Sequence, residues 1–344
     1  MDFLKGNKED FLNFLNSIND ENVAVLTHTD LDGISSAIFL NEILKEKGIE
    51  CSYLNFLSLD KGLFSNVWGE LIENNIEKIF VCDISADADL EDFEKLRKEF
   101  DVFLIDHHPF DGELESWKNV VKAGSDDCAG LMVYELGEEL FDREKWRWLL
   151  DAVIIADFSF KKKENLEKLK ENYSEINEEN IFESISGILV KKIDANLTYF
   201  EKDLRKVYDM VYNKEFDKLE ETYLIIQKEI DSFINKFEED AEFFPEKNLY
   251  IYYFKPKFKI SSTLSTLISL KYKTKSLIFI VEDTKDENYL KMSARNQNAS
   301  EDMNKLLKKG IEGLEDANAG GHAAASGARI MKKDLDEFKK NLLS

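Results

Sequence analysis

Short apolar runs alternate with longer amphipathic segments through the first 157 residues. Residues 22–27 (NVAVLT), 50–54, 78–82 (KIFVC) and 101–105 (DVFLI) have the length and composition of buried strands. Segments near 34–47, 62–75, 89–99 and 129–140 carry their apolar residues at helical spacing. This alternation predicts a parallel sheet with helices on both faces. In such sheets ligands bind beyond the carboxyl ends of the strands. Ahead of the first strand, Phe3, Phe11, Leu12 and Leu15 predict one amphipathic helix.

From about residue 161 to 247 the pattern changes. Lys, Glu, Asn and Asp dominate, apolar residues keep helical spacing, Gly187 is the one glycine, and the first proline is Pro245. The segment reads as a helical connector, its charges a solvated face. Strand-like runs return at 249–254 (LYIYYF), 276–282 (SLIFIVE) and 289–294 (YLKMSA), and the chain is expected to end in helices around a glycine cluster. The expected organisation is an α/β chain with an N-terminal parallel-sheet domain over 1–160, a connector over 161–247 and a smaller α/β domain over 248–344. The 344-residue length fits two domains.

Composition narrows the setting. A hydrophobic content of 43% supports ordinary globular cores, and charged residues make up 33%. No apolar run approaches the roughly 18 residues needed to span a bilayer. Lys5, Lys8, Glu9 and Asp10 interrupt the first segment before the apolar core of a signal peptide can form. Three cysteines without close spacing (Cys51, Cys82, Cys128) give no disulfide framework, so the expected compartment is the cytoplasm. The net charge of −23 repels long polyanions. A phosphate-bearing substrate must then be short and held locally, by metal ions or a few placed cations.

The four histidines carry the chemistry. His28, His107, His108 and His322 all stand at strand ends or in a glycine-rich turn, beside Asp or Gly. His28, Asp30 and Asp32 alternate after the first strand, in THTDLDG, and so are expected to share one side of an extended segment before Gly33 opens a helix. A calcium loop is excluded, because its twelfth position would be Phe39 where a bidentate Glu is required. Helix capping would need only one of these aspartates. Asp83 follows the third strand, Asp106-His107-His108 follows the fourth, and Asp157 ends the apolar run DAVIIA. Singly, Asp83 reads as a turn residue and Asp157 as a helix terminus; together they read as one site. If Asp30, Asp32, Asp83 and Asp157 meet, their repulsion amounts to several kcal/mol at any plausible dielectric constant, and protons or cations must relieve it. Two divalent ions balance four carboxylates, and a mixed imidazole and carboxylate set suits manganese, iron, zinc or cobalt better than magnesium.

These elements, in this order, resemble the DHH phosphoesterase family, named for the triplet found here as Asp106-His107-His108. THTDLDG is similar to the family's first motif in its RecJ-like form, Asp83 to the second and Asp157 to the fourth. GGHAAASGA, with Gly320, Gly321, His322 and Gly327, resembles the signature of the family's associated C-terminal domain, and Ser293 and Arg295 its substrate-contacting element. The resemblance implies one metal held by His28, Asp30 and Asp83. It implies a second held by Asp32, His107 and Asp157, with Asp83 bridging. Manganese is the expected ion, with magnesium or cobalt as alternatives. His108, Arg295 and His322 would act on the phosphate, and Ser293, Arg295, Gly320, Gly321 and His322 would bind substrate, in a cleft between the domains.

The implied reaction is in-line attack of hydroxide on phosphorus with two metals. Short single-stranded RNA or DNA would be cut to nucleoside monophosphates. The alternative substrate is a small nucleotide, either 3′,5′-bisphosphorylated adenosine or a cyclic dinucleotide. A third reading is a replisome-associated scaffold, with 161–247 available to a replication or repair partner.

Overall fold

The computed structural model describes residues 1–58, 61–110 and 117–344. It forms two compact units, Met1–Tyr223 and Leu224–Ser344.

The first unit is built on five parallel strands, β1 (Asn22–His28), β2 (Cys51–Leu57), β3 (Ile76–Cys82), β4 (Asp101–Asp106) and β5 (Val120–Lys122). Their order in space is β2-β1-β3-β4-β5. Successive residues serve opposite faces, as the two-residue repeat of a strand requires. Val23, Val25, Phe80, Cys82, Phe103 and Ile105 enter one core cluster, whereas Ala24, Leu26, Ile79, Val81, Val102 and Leu104 enter the other. Helices α1 (Lys8–Asn16), α2 (Leu31–Glu46), α5 (Ala129–Leu136) and α6 (Arg147–Ala156) supply the first cluster; α3 (Trp68–Glu73) and α4 (Leu90–Glu99) supply the second. Because β1 lies between β2 and β3, the chain reverses its direction of winding there, and the crevice for a ligand opens beyond the ends of β1 and β3.

Two expectations about the first unit need correction. Phe3 precedes α1, which starts after an Asn7 cap and buries Phe11, Phe14 and Leu15. The helix expected near 62–75 is a short 3-10 turn at Ser65–Val67 followed by α3. The 161–247 stretch is helical, as expected. Helices α7 (Lys163–Lys170), α8 (Ile185–Tyr199) and α9 (Leu204–Tyr212) bury Leu169, Ile193, Val207 and Val211 in the first unit's core. Helix α10 (Phe216–Asp240) runs across the junction between the units. No helix among the described residues is long and apolar enough to cross a membrane.

The second unit is a six-stranded mixed sheet in the order β10-β11-β9-β8-β7-β6. Its strands are β6 (Glu242–Phe244), β7 (Leu249–Tyr253), β8 (Ser276–Glu282), β9 (Tyr289–Arg295), β10 (Asn318–Gly321) and β11 (Ala325–Met331). Helices α12 (Met303–Gly310) and α13 (Leu335–Leu343) pack against Leu290, Met292, Ala294 and Ile330 on one face. On the other face Tyr252 and Phe279 of β7 and β8 meet Phe237 of α10, and α11 (Ser261–Lys271) packs against β8 and β9. The glycine cluster is therefore not a turn among helices: it lies on the β10–β11 hairpin. Glycine and alanine give that hairpin backbone pairing with little of the side-chain signal by which strands are read.

Candidate metal centre

Local geometry explains why each acid stands where it does. His28 ends β1, and Asp30 caps α2, its Oδ1 accepting the Gly33 amide at 3.0 Å. A side chain at Gly33 would collide with the His28 carbonyl, so the tight strand-to-helix turn needs glycine there. Asp32 lies in the first turn of α2 rather than on an extended segment, which corrects the expected alternation. The turn still sends its carboxylate inward, where it accepts the amides of Ala129 (2.8 Å) and Gly130 (2.7 Å) at the start of α5. Asp83 follows β3 with φ +58°, a left-handed conformation uncommon outside glycine. Its amide donates to Ile105 of β4, so the neighbouring strand holds the turn. Asp157 is the C-terminal cap of α6, the helix terminus that its apolar run allows.

These side chains converge. His107 Nε2 lies 3.3 Å from Asp83 Oδ1 and 3.6 Å from Asp32 Oδ2, and its Nδ1 is 3.7 Å from Asp157 Oδ2. His28 Nδ1 lies 2.8 Å from Asp30 Oδ2 and 3.7 Å from Asp83 Oδ2. Three groups have potential ligand atoms all within 4.8 Å of one another: His28, Asp30 and Asp83; Asp32, His107 and Asp157; and Asp83, His107 and His108.

The electrostatics are unfinished. Burial raises Asp83 well above the usual carboxylate range, and repulsion from Asp32 and Asp30 adds to it. Asp32 is raised too, first by burial, which its two amide hydrogen bonds oppose. Burial and the charges of Asp32 and Asp30 push Asp157 up to about 8. Of the four, Asp30 alone goes down, to about 2: burial opposes its charge, but His28 outweighs the desolvation. The buried atoms Asp83 Oδ2 and His107 Nδ1 have no hydrogen-bond partner, which is costly unless something else occupies them. Orphaned polar atoms, opposed carboxylates and a mixed nitrogen and oxygen set are what divalent cations relieve. Cys82 and Cys128 are fully buried and their thiols are pushed up, so thiolate ligation is disfavoured.

Asp106 plays a different part from its neighbours. It is fully buried, receives Lys122 from the paired position on β5, and accepts His108 Nδ1 at 2.7 Å. Burial opposes its charge, but His108 and Lys122 hold it below its ordinary range. The same hydrogen bond raises His108. Sequence reasoning missed Lys122, whose role depends on strand register.

In the second unit, Ser293 pairs with Gly327, and Gly327 with Gly320, so these three form a row across β9, β11 and β10. Arg295 pairs with Ala325. Gly321 has φ +134° and no room for a Cβ beside Ser326. His322 closes the hairpin turn, exchanging backbone hydrogen bonds with Ala325.

The chain matches the DHH family, N-terminal domain over residues 22–157 and the DHHA1 domain over residues 248–344. A crystal structure of exonuclease RecJ bound to manganese aligns over 98% of this chain and 94% of its own length, at 17% identity and a TM-score of 0.69. RecJ from Thermus thermophilus, in complex with Mn2+, aligns over 97% of this chain but 53% of its own, at 15% identity and a TM-score of 0.67. CDC45 from Entamoeba histolytica aligns over 97% of both chains, at 13% identity and a TM-score of 0.57. At these identities the likeness is one of fold. No curated protein matches by sequence.

Proposed function

Because the chain belongs to the DHH family of phosphoesterases, carrying both its N-terminal domain and its DHHA1 domain, we propose that it hydrolyses short single-stranded RNA or DNA to nucleoside monophosphates. The observation that carries the reading is Asp83, one carboxylate within ligand distance of the His28–Asp30 pair and of His107. One divalent ion would be held by His28, Asp30 and Asp83, and another by Asp32, His107 and Asp157, with Asp83 shared. Such ions supply an acidified water and neutralise charge gathering on phosphorus.

The remaining steps belong to the chain's own groups. Asp106 holds His108 through Nδ1 and favours its protonated ring, and in that imidazolium form Nε2 can donate toward a phosphate or leaving oxygen. Ser293, Arg295, Gly320, Gly321 and His322 bind the phosphate-bearing substrate in this reading. Arg295 supplies fixed positive charge, and the glycines permit close approach of phosphate to backbone amides. Manganese is the proposed ion, in keeping with the mixed donor set. The acidic surface favours short strands over long ones.

The test is incubation with manganese, magnesium or cobalt and a panel of 5′-labelled oligonucleotides, bisphosphorylated adenosine and a cyclic dinucleotide. A ladder of shortened oligonucleotides is expected, suppressed roughly a thousand-fold or more by Asp83→Ala, on the order of losing a metal's contribution. Turnover of the small nucleotides alone would replace the strand reading, and equal turnover by the variant would sink the shared-ligand assignment.

A further inference from the structure

On the face of the second unit's sheet opposite α12 and α13, Arg295, Ser293 and Lys291 follow one another along β9 at two-residue intervals, while Leu290, Met292 and Ala294 point to the core. Strand register places Arg329 beside Lys291, just as it places Gly327 beside Ser293. The Lys291–Arg329 pair thus lies one strand repeat, roughly 7 Å, from the Ser293–Gly327–Gly320 row, about the length of one nucleotide of extended backbone.

The pair is held from beneath. Asp283 accepts Arg329 Nε at 2.8 Å, Lys291 Nζ at 3.0 Å and the Lys285 amide at 2.9 Å. The Arg329 guanidinium also lies 3.4 Å from the centre of the Tyr289 ring. The Asp283 side chain is 2% exposed, against 47% for Lys291 and 31% for Arg329. The acid is covered, both cations reach the surface, and two positive charges share one negative. On a chain of net charge −23, such an outward cation pair suits an anion. The adjacent row offers no side-chain obstacle, since a Cβ at Gly320 would meet nothing within 4 Å and one at Gly327 only the Met292 carbonyl at 3.5 Å.

We infer that Lys291 and Arg329 form a second phosphate site, one nucleotide along β9 from the first. The inference rests on the proposed assignment of Ser293 and Arg295 as substrate contacts. It makes the preferred ligand a molecule with two phosphates at nucleotide spacing. That second phosphate is either the next one in a strand or a free one on a bisphosphorylated nucleotide.

Binding decides it, measured by fluorescence anisotropy on the full chain with chelator present, so that nothing is hydrolysed. The probe is a labelled tetranucleotide; bisphosphorylated adenosine and adenosine monophosphate are the competitors. Lys291→Gln is expected to weaken the tetranucleotide about 5- to 10-fold and to lower the salt dependence of its binding by about 0.7 of a logarithmic unit per unit. Lys291→Arg is expected to restore both. The triple variant Lys305→Gln, Lys308→Gln, Lys340→Gln removes more charge from the helical face and is expected to reproduce neither effect. If the bisphosphate loses its advantage over the monophosphate in Lys291→Gln, the site takes a free second phosphate; if only the tetranucleotide responds, it takes the next phosphate of a strand. Equal losses for all three ligands, no loss for any, or no binding by the wild type would overturn the site. Absence of turnover with manganese would instead sink the proposed activity and leave the binding result standing.

Discussion

Around Asp83, two buried carboxylates and the half-buried Asp157 face one another across His107, each pushed above its ordinary range. Around Asp283, one covered carboxylate lies beneath a lysine and an arginine and is drawn down to about 2, their hydrogen bonds outweighing desolvation. The first arrangement is incomplete as protein alone, and its opposed carboxylates and orphaned atoms call for cations. The second is complete and presents its surplus charge outward. A metal-assisted phosphoesterase needs both kinds, and burial of the acid distinguishes neither. What differs is the company each acid keeps.

The largest expected effect comes from relieving the first arrangement chemically. Asp83→Asn keeps the shape and suits the left-handed backbone, but it removes the shared charge. Hydrolysis should fall roughly a thousand-fold or more. In chelator, however, the variant should melt several degrees above the wild type, since one opposed carboxylate is gone. A lower melting point in chelator would mean that the cluster is satisfied without metal.

Asp106 and Lys122 sit inside the first arrangement yet follow the logic of the second. Removing one member of a buried pair strands the other's charge. Lys122→Met should therefore destabilise by about 3 kcal/mol, and Asp106→Asn added to it should recover at least half. All four tryptophans belong to the first unit, so denaturant unfolding followed by tryptophan fluorescence reports on this pair. Additive losses in the double variant would show that the two charges are not coupled.

Removing the metal should cost slightly less. At a hundredfold excess over its dissociation constant, a ligand stabilises by roughly 2.7 kcal/mol, or about 5–10 °C for a unit the size of the first. The pH dependence should also reverse. Asp157 is raised to about 8, so its protonated form favours the fold below about pH 4 and that contribution fades as pH rises through 8. Metal-free protein should gain melting temperature on going from about pH 8 to about pH 5, while manganese-loaded protein loses it. Parallel profiles would remove the metal from the account.

The first arrangement was legible in the chain because its parts are unusual there. THTDLDG and Asp106-His107-His108 stand out after apolar runs, and β1, β3 and β4 follow from those runs directly. Asp157 was legible both as a ligand and as a helix terminus, and the structure makes it both at once, a cap of α6 that turns toward His107. Strand β5 has three residues, too few for a periodicity, and without it Lys122 has no visible partner. The second arrangement was harder to read. Ser293 and Arg295 were found by resemblance, but Asp283, Lys291 and Arg329 are ordinary charges until strand pairing sets them side by side. The glycine-rich hairpin that does the pairing carries almost no alternation in its sequence.

The smallest effect tests the second arrangement from the acid side. Asp283 is held at about 2 by Arg329, the Lys285 amide and Lys291, against the cost of its desolvation. Its folded value lies below its unfolded one, so its contribution is present above about pH 4 and is lost as pH falls toward 2. This is opposite in sign to Asp157. The loss amounts to at most about 2 kcal/mol, reduced by the exposure of both cations. The second unit has no tryptophan, so far-UV circular dichroism must follow it while fluorescence follows the first. Asp283→Asn should flatten the part of the dichroism-detected stability that changes between about pH 4 and about pH 2, and leave the fluorescence-detected part as it was. If both signals moved together, or if the variant kept the wild-type slope, the covered acid would not be what holds Lys291 and Arg329 in place.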